Sequence, residues 1–113
     1  MVRLNEIQRQ DNKVFLITGA NSGLGYETSK FLLEKGATVI MCCRDLIKGK
    51  RAKQELLKFN YSGFIELVEL DLSDLIKVKS ATKLIKDKFN SLDVLINNAG
   101  IMAPPKTLSK QGL

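Results

Sequence analysis

The sequence predicts an α/β fold, in which a doubly wound parallel sheet carries helices on both faces. Short apolar runs alternate with longer amphipathic segments between Lys13 and Asn97. This alternation is typical of parallel strands joined by right-handed helical crossovers. The apolar runs are nearly continuous, as in strands covered on both faces. A glycine-rich turn, TGANSGLG, follows the first run at residues 18–25.

The first strand is predicted at residues 13–18 (KVFLIT), and the helix after the glycines from about Leu24 to Lys35. Gly36 follows this helix, in the place where a helix C-terminus favours glycine. Helical spacing predicts a core-facing side for this helix, made of Thr28, Phe31, Leu32 and Lys35.

The next units repeat this plan. The second strand is predicted at residues 37–43 (ATVIMCC), and Asp45 can cap a helix that continues to about Phe59. The third strand is predicted at residues 64–70 (FIELVEL), and Ser73 or Asp74 begins the third helix. The fourth strand is predicted at residues 92–97 (LDVLIN). The inner sides predicted for the two helices are Ala52, Leu56 and Phe59, and Val78, Ala81, Leu84, Ile85 and Phe89.

These elements predict the first four strands of a Rossmann-type sheet in the order 3-2-1-4, with a ligand crevice where the order reverses. The sheet is expected to be incomplete, because Leu95 and residues 101–105 would form an apolar edge without a neighbour. Either another subunit covers this edge or the sequence is part of a longer chain. Residues 1–12 are expected to be an N-terminal extension, and residues 13–113 half of an NAD(P)-binding domain.

Composition excludes several function classes. The chain has 113 residues and a formal charge of +6, but its 18 basic residues are scattered among acidic ones, so no nucleic-acid partner is expected. It has no histidine and no C-x-x-C pattern, and therefore no material for a zinc site or a histidine triad. Cys42 and Cys43 should point to opposite faces of the sheet. No transmembrane or signal segment is visible, so a cytoplasmic protein is expected.

The glycine-rich turn predicts a dinucleotide site. Between a strand and a helix, such a turn lets backbone N–H groups approach a pyrophosphate at the helix N-terminus. Gly19 permits the turn, Gly23 allows close approach of the ligand, and Gly25 lets the helix pack tightly on the strand. The alternative is a turn with a purely structural role.

The end of the second strand favours NADP over NAD. NAD-binding units place an acidic residue there for the ribose hydroxyls, whereas an arginine suits a 2′-phosphate. Here the strand ends in Cys43, followed by Arg44. NAD remains the alternative, because Asp45 is close and Arg44 could be an ordinary surface residue.

Two further segments have alternative interpretations. Asp71 follows the third strand, where it could accept a hydrogen bond from an adenine amino group or cap the third helix. The NNAG run at residues 97–100 is either a bend near the ligand or an ordinary turn.

TGANSGLG, DLSDL and LINNAG, in this order, resemble the short-chain dehydrogenase/reductase family, and CCRD with NNAGIMAPP is similar to its retinol dehydrogenase-like branch. The resemblance covers residues 12–113. It implies that Arg44 meets a 2′-phosphate and that Asn97 braces the central strands. It also implies a set of cofactor-binding residues, which are Gly19, Asn21, Ser22, Gly23, Leu24, Gly25, Arg44, Asp71, Leu72, Asn98, Ala99 and Gly100.

Tyr26 and Lys30 match the family's Y-x-x-x-K pattern but are predicted not to be catalytic. They lie in the helix that begins at the phosphate turn, whereas the catalytic serine, tyrosine and lysine of the family come well after NNAG. We therefore expect no catalytic residue in this sequence, and Tyr26 to be a packing or rim residue and Lys30 a solvated one.

The resemblance implies an oxidoreductase that transfers hydride between NADP(H) and a small-molecule alcohol or carbonyl, retinol-like or otherwise lipophilic. This chain would supply cofactor binding and have little or no turnover. One alternative is an inactive dinucleotide-binding module that dimerises through the fourth-strand edge. Another is a different Rossmann-type protein such as a methyltransferase, which NNAG and Arg44 disfavour.

Overall fold

The computed structural model describes residues 8–21 and 23–98. Seven elements follow one another in strict alternation. They are β1 (Val14–Thr18), α1 (Gly23–Glu34), β2 (Thr38–Cys43), α2 (Leu46–Leu57), β3 (Phe64–Glu69), α3 (Leu75–Lys88) and β4 (Val94–Ile96). Every predicted element is present, and the boundaries differ from the predicted ones by at most two residues. β4 differs most, because only its three central residues pair with β1.

The four strands form one sheet in the order β3-β2-β1-β4, and all three pairings are parallel. The predicted order 3-2-1-4 is therefore confirmed. Leu16 of β1 lies beside Ile40 of β2 on one side and Leu95 of β4 on the other. The order reverses between β1 and β4, which places the crevice at their carboxyl ends.

Each face of the sheet has its own hydrophobic core. On one face, α1 and α2 pack against β1 and β2 through residues that include Leu33, Leu56 and Cys43. On the other face, α3 packs through Ala81 and Ile85 against a layer that includes Cys42. The two adjacent cysteines therefore point to opposite faces, as predicted, and both are free and buried.

The predicted inner side of α1 is only partly correct. The helix buries Gly25, Ser29, Leu32 and Leu33, whereas Thr28, Phe31 and Lys35 are only half-buried. The side of α1 that is buried includes a glycine and a serine, which a search for apolar residues at helical spacing does not detect. Burial of Ser29 is tolerated because its hydroxyl donates to the carbonyl oxygen of Gly25 at 2.8 Å.

The other two helices follow the pattern more closely. Asp45 and Asp74 are the N-caps of α2 and α3, and each side chain accepts hydrogen bonds from two backbone N–H groups of the first turn. Ser73, the other candidate cap, lies outside the helix. Two predicted inner residues are exposed: Phe59, which lies two residues beyond the end of α2, is 45% exposed, and Leu84 of α3 is 40% exposed.

Residues 8–12 pack against the opposite end of the sheet from the crevice. The Arg9 guanidinium pairs with Asp11 at 2.9 Å and donates to Ser62 Oγ at 2.7 Å. The backbone N–H of Gln10 donates to the carbonyl oxygen of Lys35 at 2.7 Å. Gly36, next to this segment, has φ +87°. Glycine adopts this backbone conformation at little cost, which explains the requirement for glycine after α1. The assignment of residues 1–12 as an extension remains a prediction.

Candidate functional site

A cleft of about 420 Å³ opens at the carboxyl ends of β1, β2, β3 and β4. Its volume lies within the range of small-molecule sites, which is roughly 300–1,000 Å³. Eight of the predicted cofactor-binding residues line it, together with two residues that sequence reasoning did not select, Thr18 and Leu70. The eight are Gly19, Asn21, Gly23, Leu24, Arg44, Asp71, Leu72 and Asn98. Ser22, Ala99 and Gly100 lie outside the described residues.

The three glycines of the turn have different surroundings. Gly19 has φ +60° and Gly23 has φ +56°, a region that costs little only for glycine. A Cβ at Gly23 would meet no atom within 4 Å, so this backbone faces open space at the cleft. That opening leaves room for a ligand to approach the first turn of α1.

Gly25 is enclosed on all sides. A Cβ there would collide with the carbonyl oxygen of Gly19 and lie 2.6 Å from Asn98 Nδ2. The close approach of α1 to the turn therefore depends on the absence of a side chain. Gly25 supports the cleft from behind and does not line it, although sequence reasoning grouped it with the residues that touch the ligand.

Thr18 joins the two sides of the cleft. Its buried hydroxyl donates to Asn97 Oδ1 at 2.9 Å and accepts from the backbone N–H of Asn98 at 2.8 Å. The end of β1 is thereby tied to the residues that follow β4, where the strand order reverses. The sequence analysis did not predict this role of Thr18. The only feature of the sequence that points to it is the threonine at the start of T-G-x-x-x-G-x-G. The predicted bracing by Asn97 is seen as this contact with Thr18.

Arg44 and Asp45 follow β2 but have different surroundings. Asp45 Oδ1 accepts from the backbone N–H groups of Ile47 at 2.9 Å and Lys48 at 3.3 Å, so its carboxylate is committed to the N-cap of α2. Arg44 is exposed, lines the cleft, and has no salt bridge among the described residues. At the end of β2, the residues that line the cleft therefore include the Arg44 guanidinium but not the Asp45 carboxylate.

Asp71 does not cap α3, so that alternative is wrong. Its Oδ1 accepts from the backbone N–H of Ser73 at 3.0 Å and from the Ser73 hydroxyl at 2.6 Å. These hydrogen bonds lower the pKa of the Asp71 carboxyl, and the charge of Arg44 lowers it further. Asp71 is thus held as an anion at the rim of the cleft, with its Oδ2 in no side-chain hydrogen bond among the described residues.

The Cys43 thiol lies in the core beneath the glycine-rich turn and does not line the cleft. Burial raises the pKa of Cys43 to about 11, although hydrogen bonds from the backbone of Ala20 and Asn21 oppose this shift. Cys43 is fully buried, so the position that carries an acidic residue in NAD-binding units is here a neutral group beneath the turn.

Tyr26 and Lys30 of α1 make contacts with different groups. Tyr26 packs against the core between α1 and α2, and its pKa is raised by burial first and by the Glu55 carboxylate second. A catalytic tyrosine needs the opposite shift. The Lys30 Nζ lies 4.4 Å from the centroid of the Phe59 ring, so this side chain makes a cation–π contact. The prediction that Lys30 is simply solvated is corrected accordingly.

Two observations concern other kinds of site. None of the helices in the described part of the chain is both long enough and apolar enough to cross a membrane. Within residues 8–21 and 23–98, no group of three or more cysteine, aspartate or glutamate residues is arranged to hold a metal ion.

Comparison with known proteins agrees with this geometry. The family model for short chain dehydrogenases matches residues 13–112. The chain is 42% identical over 108 residues to the short-chain dehydrogenase/reductase prx1 of Penicillium roqueforti, covering 96% of this chain and 31% of that protein. It is 37% identical over 100 residues to retinol dehydrogenase 12 of Mus musculus, covering 88% of this chain and 32% of that protein.

A solved structure has the same arrangement of elements. The RhlG/NADP active-site complex of Pseudomonas aeruginosa superposes with a TM-score of 0.73 at 28% identity, covering 90% of this chain and 40% of that one. The chain spans about a third of the length of the two curated relatives described above.

Proposed function

Because the chain belongs to the short-chain dehydrogenase family, an oxidoreductase family, we propose that its cleft binds NADP(H). The observation that carries this proposal is the pairing of an open glycine backbone at Gly23 with an unpaired guanidinium at Arg44 in one cleft. A diphosphate suits the first, and a 2′-phosphate suits the second. The NADP named in the RhlG complex is a further reason to test this coenzyme first.

The residues present fit the proposed coenzyme. The N–H groups of the turn at 19–25 would hold the diphosphate at the N-terminus of α1. Arg44 would pair with the 2′-phosphate, and the Asp71 carboxylate would accept from the adenine amino group. Leu72 would contact the adenine ring, and Asn98, with Ala99 and Gly100, would adjoin the ribose on the nicotinamide side. When bound, NADP(H) would supply or accept the hydride.

The preference for NADP over NAD follows from charge. Asp45 caps α2 and does not line the cleft, and Cys43 is neutral and buried, so neither places a carboxylate in the cleft for ribose hydroxyls. A second negative phosphate group would gain a charge-assisted hydrogen bond from Arg44.

The direct test is a titration of this chain with NADPH and with NADH, in which binding is measured by the fluorescence of the reduced coenzyme or by calorimetry. We expect Arg44→Ala to weaken NADPH binding by about 10- to 100-fold, as for loss of a hydrogen bond to a charged group, and to leave NADH binding unchanged. Arg51→Ala is the matched control, because Arg51 is an exposed arginine on α2 that does not line the cleft. Unchanged NADPH binding by Arg44→Ala would refute the preference.

We further propose that the whole enzyme reduces or oxidises a small lipophilic alcohol or carbonyl, and that this chain alone shows little or no turnover. The substrate class is supported by the 37% identity to a retinol dehydrogenase. Alcohol oxidation by this chain that disappeared in Tyr26→Phe would show that Tyr26 is catalytic after all. NADPH binding without turnover is the expected result.

A further inference from the structure

The five lysines of α3 divide into two groups. Lys77 Nζ lies 2.9 Å from Glu69 Oε2, and Lys88 Nζ lies 2.7 Å from Glu66 Oε2, so both are paired with carboxylates of β3. The other three are exposed and have no carboxylate within 4.0 Å among the described residues; they are Lys79, Lys83 and Lys86. One side of the helix is therefore electrically balanced, and the other carries uncompensated positive charge.

The uncompensated lysines share one side of α3 with two large apolar residues. At about 100° per residue, they fall with Leu75 and Ile76 in a sector of roughly 100°, which we call the outer face of α3. Leu75 is 66% exposed and Ile76 is 77% exposed. The buried residues Val78, Ala81 and Ile85 lie on the opposite side. The outer face borders one acidic residue, the exposed Asp87.

We propose that the outer face of α3 binds an anionic phospholipid surface. Cationic side chains beside exposed aliphatic ones are typical of helices that lie in the plane of a bilayer interface. The lysines would reach the phosphate groups while Leu75 and Ile76 enter the acyl boundary. A lipid surface is fluid and requires no fixed pairing geometry, which suits three long side chains that nothing in the described structure holds in place.

The orientation of α3 gives this contact a further consequence. The helix begins three residues after Leu72, which lines the cleft, so Leu75 and Ile76 lie at the same end of the sheet as the cleft. A chain attached through these residues would hold the mouth of the cleft close to the bilayer. This inference does not depend on coenzyme binding.

The test is co-sedimentation of the full chain with vesicles of phosphatidylcholine alone and of phosphatidylcholine with 30% phosphatidylserine. Binding is expected only to the anionic vesicles and should weaken as salt rises. The triple variant Lys79→Gln, Lys83→Gln, Lys86→Gln should lower partitioning by about 100-fold, because each lysine near such a surface contributes about fivefold. Ile76→Ser should reduce the binding that persists at high salt.

The control variant removes three exposed cations on the other face of the sheet, two in α2 and one at its C-cap, through Lys50→Gln, Arg51→Gln and Lys58→Gln. It lowers the net charge equally and should retain most of the binding. Equal losses in the two triple variants would show a general charge effect and overturn the proposal. Failure of the original chain to bind anionic vesicles would also overturn the proposal. The same holds if the chain bound polyglutamate through the α3 lysines but did not bind vesicles.

Discussion

Single residues around the turn determine how closely backbone segments approach one another. Gly23 and Gly25 are two positions apart, yet one faces open space and the other faces the Gly19 carbonyl and the Asn98 side chain. Their places in the spacing T-G-x-x-x-G-x-G predicted separate roles, with close approach of the ligand at Gly23 and tight packing of the helix at Gly25. The surroundings of each glycine depend on how α1 docks, which no local pattern contains.

A pair of alanine substitutions should separate the two roles. Gly25→Ala should lower the free energy of unfolding by about 3 kcal/mol, because overpacking against backbone cannot be relieved by a rotamer change. Gly23→Ala should cost only about 1 kcal/mol for its left-handed conformation, but should abolish NADPH binding because the methyl group fills the open side of the turn. Urea denaturation and NADPH titration measure the two effects. Equal loss of stability in both variants would contradict this division.

The two buried thiols lead to a second prediction about single residues. Burial raises the pKa of Cys42 to about 12 and that of Cys43 to about 11, so the folded chain keeps both protons longer than the unfolded chain, whose thiols have pKa values near 8.5. The free energy of unfolding is therefore unaffected by ionisation of these thiols below about pH 8.5, and it falls as pH rises above this value. The loss should reach about 1.4 kcal/mol per pH unit for each thiol.

Urea denaturation between about pH 8 and 10 measures this loss. The double variant Cys42→Ala, Cys43→Ala should be less stable at every pH but should lose most of the slope. A slope equal to that of the original chain would mean that the thiols are not its source.

At the scale of elements, strand and helix positions were predictable because apolar runs and N-caps are local signals. Asp45 and Asp74 act within three residues of the N–H groups that they satisfy. The inner side of α1 was less predictable, because Ser29 is buried through a hydrogen bond to Gly25 and its residue type gives no apolar signal. The tie between β1 and β4 spans about 80 residues of sequence; the family resemblance implied the bracing by Asn97, but no local pattern identified Thr18 as its partner.

That tie can be tested at Thr18. Thr18→Val keeps the shape of the side chain but removes the group that donates to Asn97 and accepts from the Asn98 N–H. A partly buried N–H without its partner costs about 1–3 kcal/mol, so the free energy of unfolding should fall by this amount. Thr18→Ser keeps the hydroxyl and should retain most of that stability. NADPH affinity should also fall in Thr18→Val, because Asn98 lines the cleft. If the valine and serine variants were equally stable, the hydroxyl would have no structural importance.

For the whole molecule, the alternation of elements predicted a parallel sheet with right-handed crossovers, and the observed order β3-β2-β1-β4 is the one expected of a Rossmann-type sheet. The position of the cleft followed from the same order. What the sequence could not supply is the charge state of the cleft. The capping of α2 by Asp45 was predicted, but the contacts that hold Asp71 to Ser73 depend on loop conformation, which no local pattern contains.

The cleft connects the ends of all four strands and the start of α1, so binding there should stabilise the whole fold. NADPH at 100 times its dissociation constant should add about 2.7 kcal/mol to the free energy of unfolding, or about 10 °C in melting temperature for a chain of this size. The Arg44→Ala variant, at the same NADPH concentration, should show a shift several times smaller, whereas NADH should stabilise both proteins equally. Thermal denaturation followed by circular dichroism measures these shifts. A cooperative unfolding transition that neither coenzyme moves would exclude the cleft as a dinucleotide site, because any ligand selective for the folded state must raise its stability.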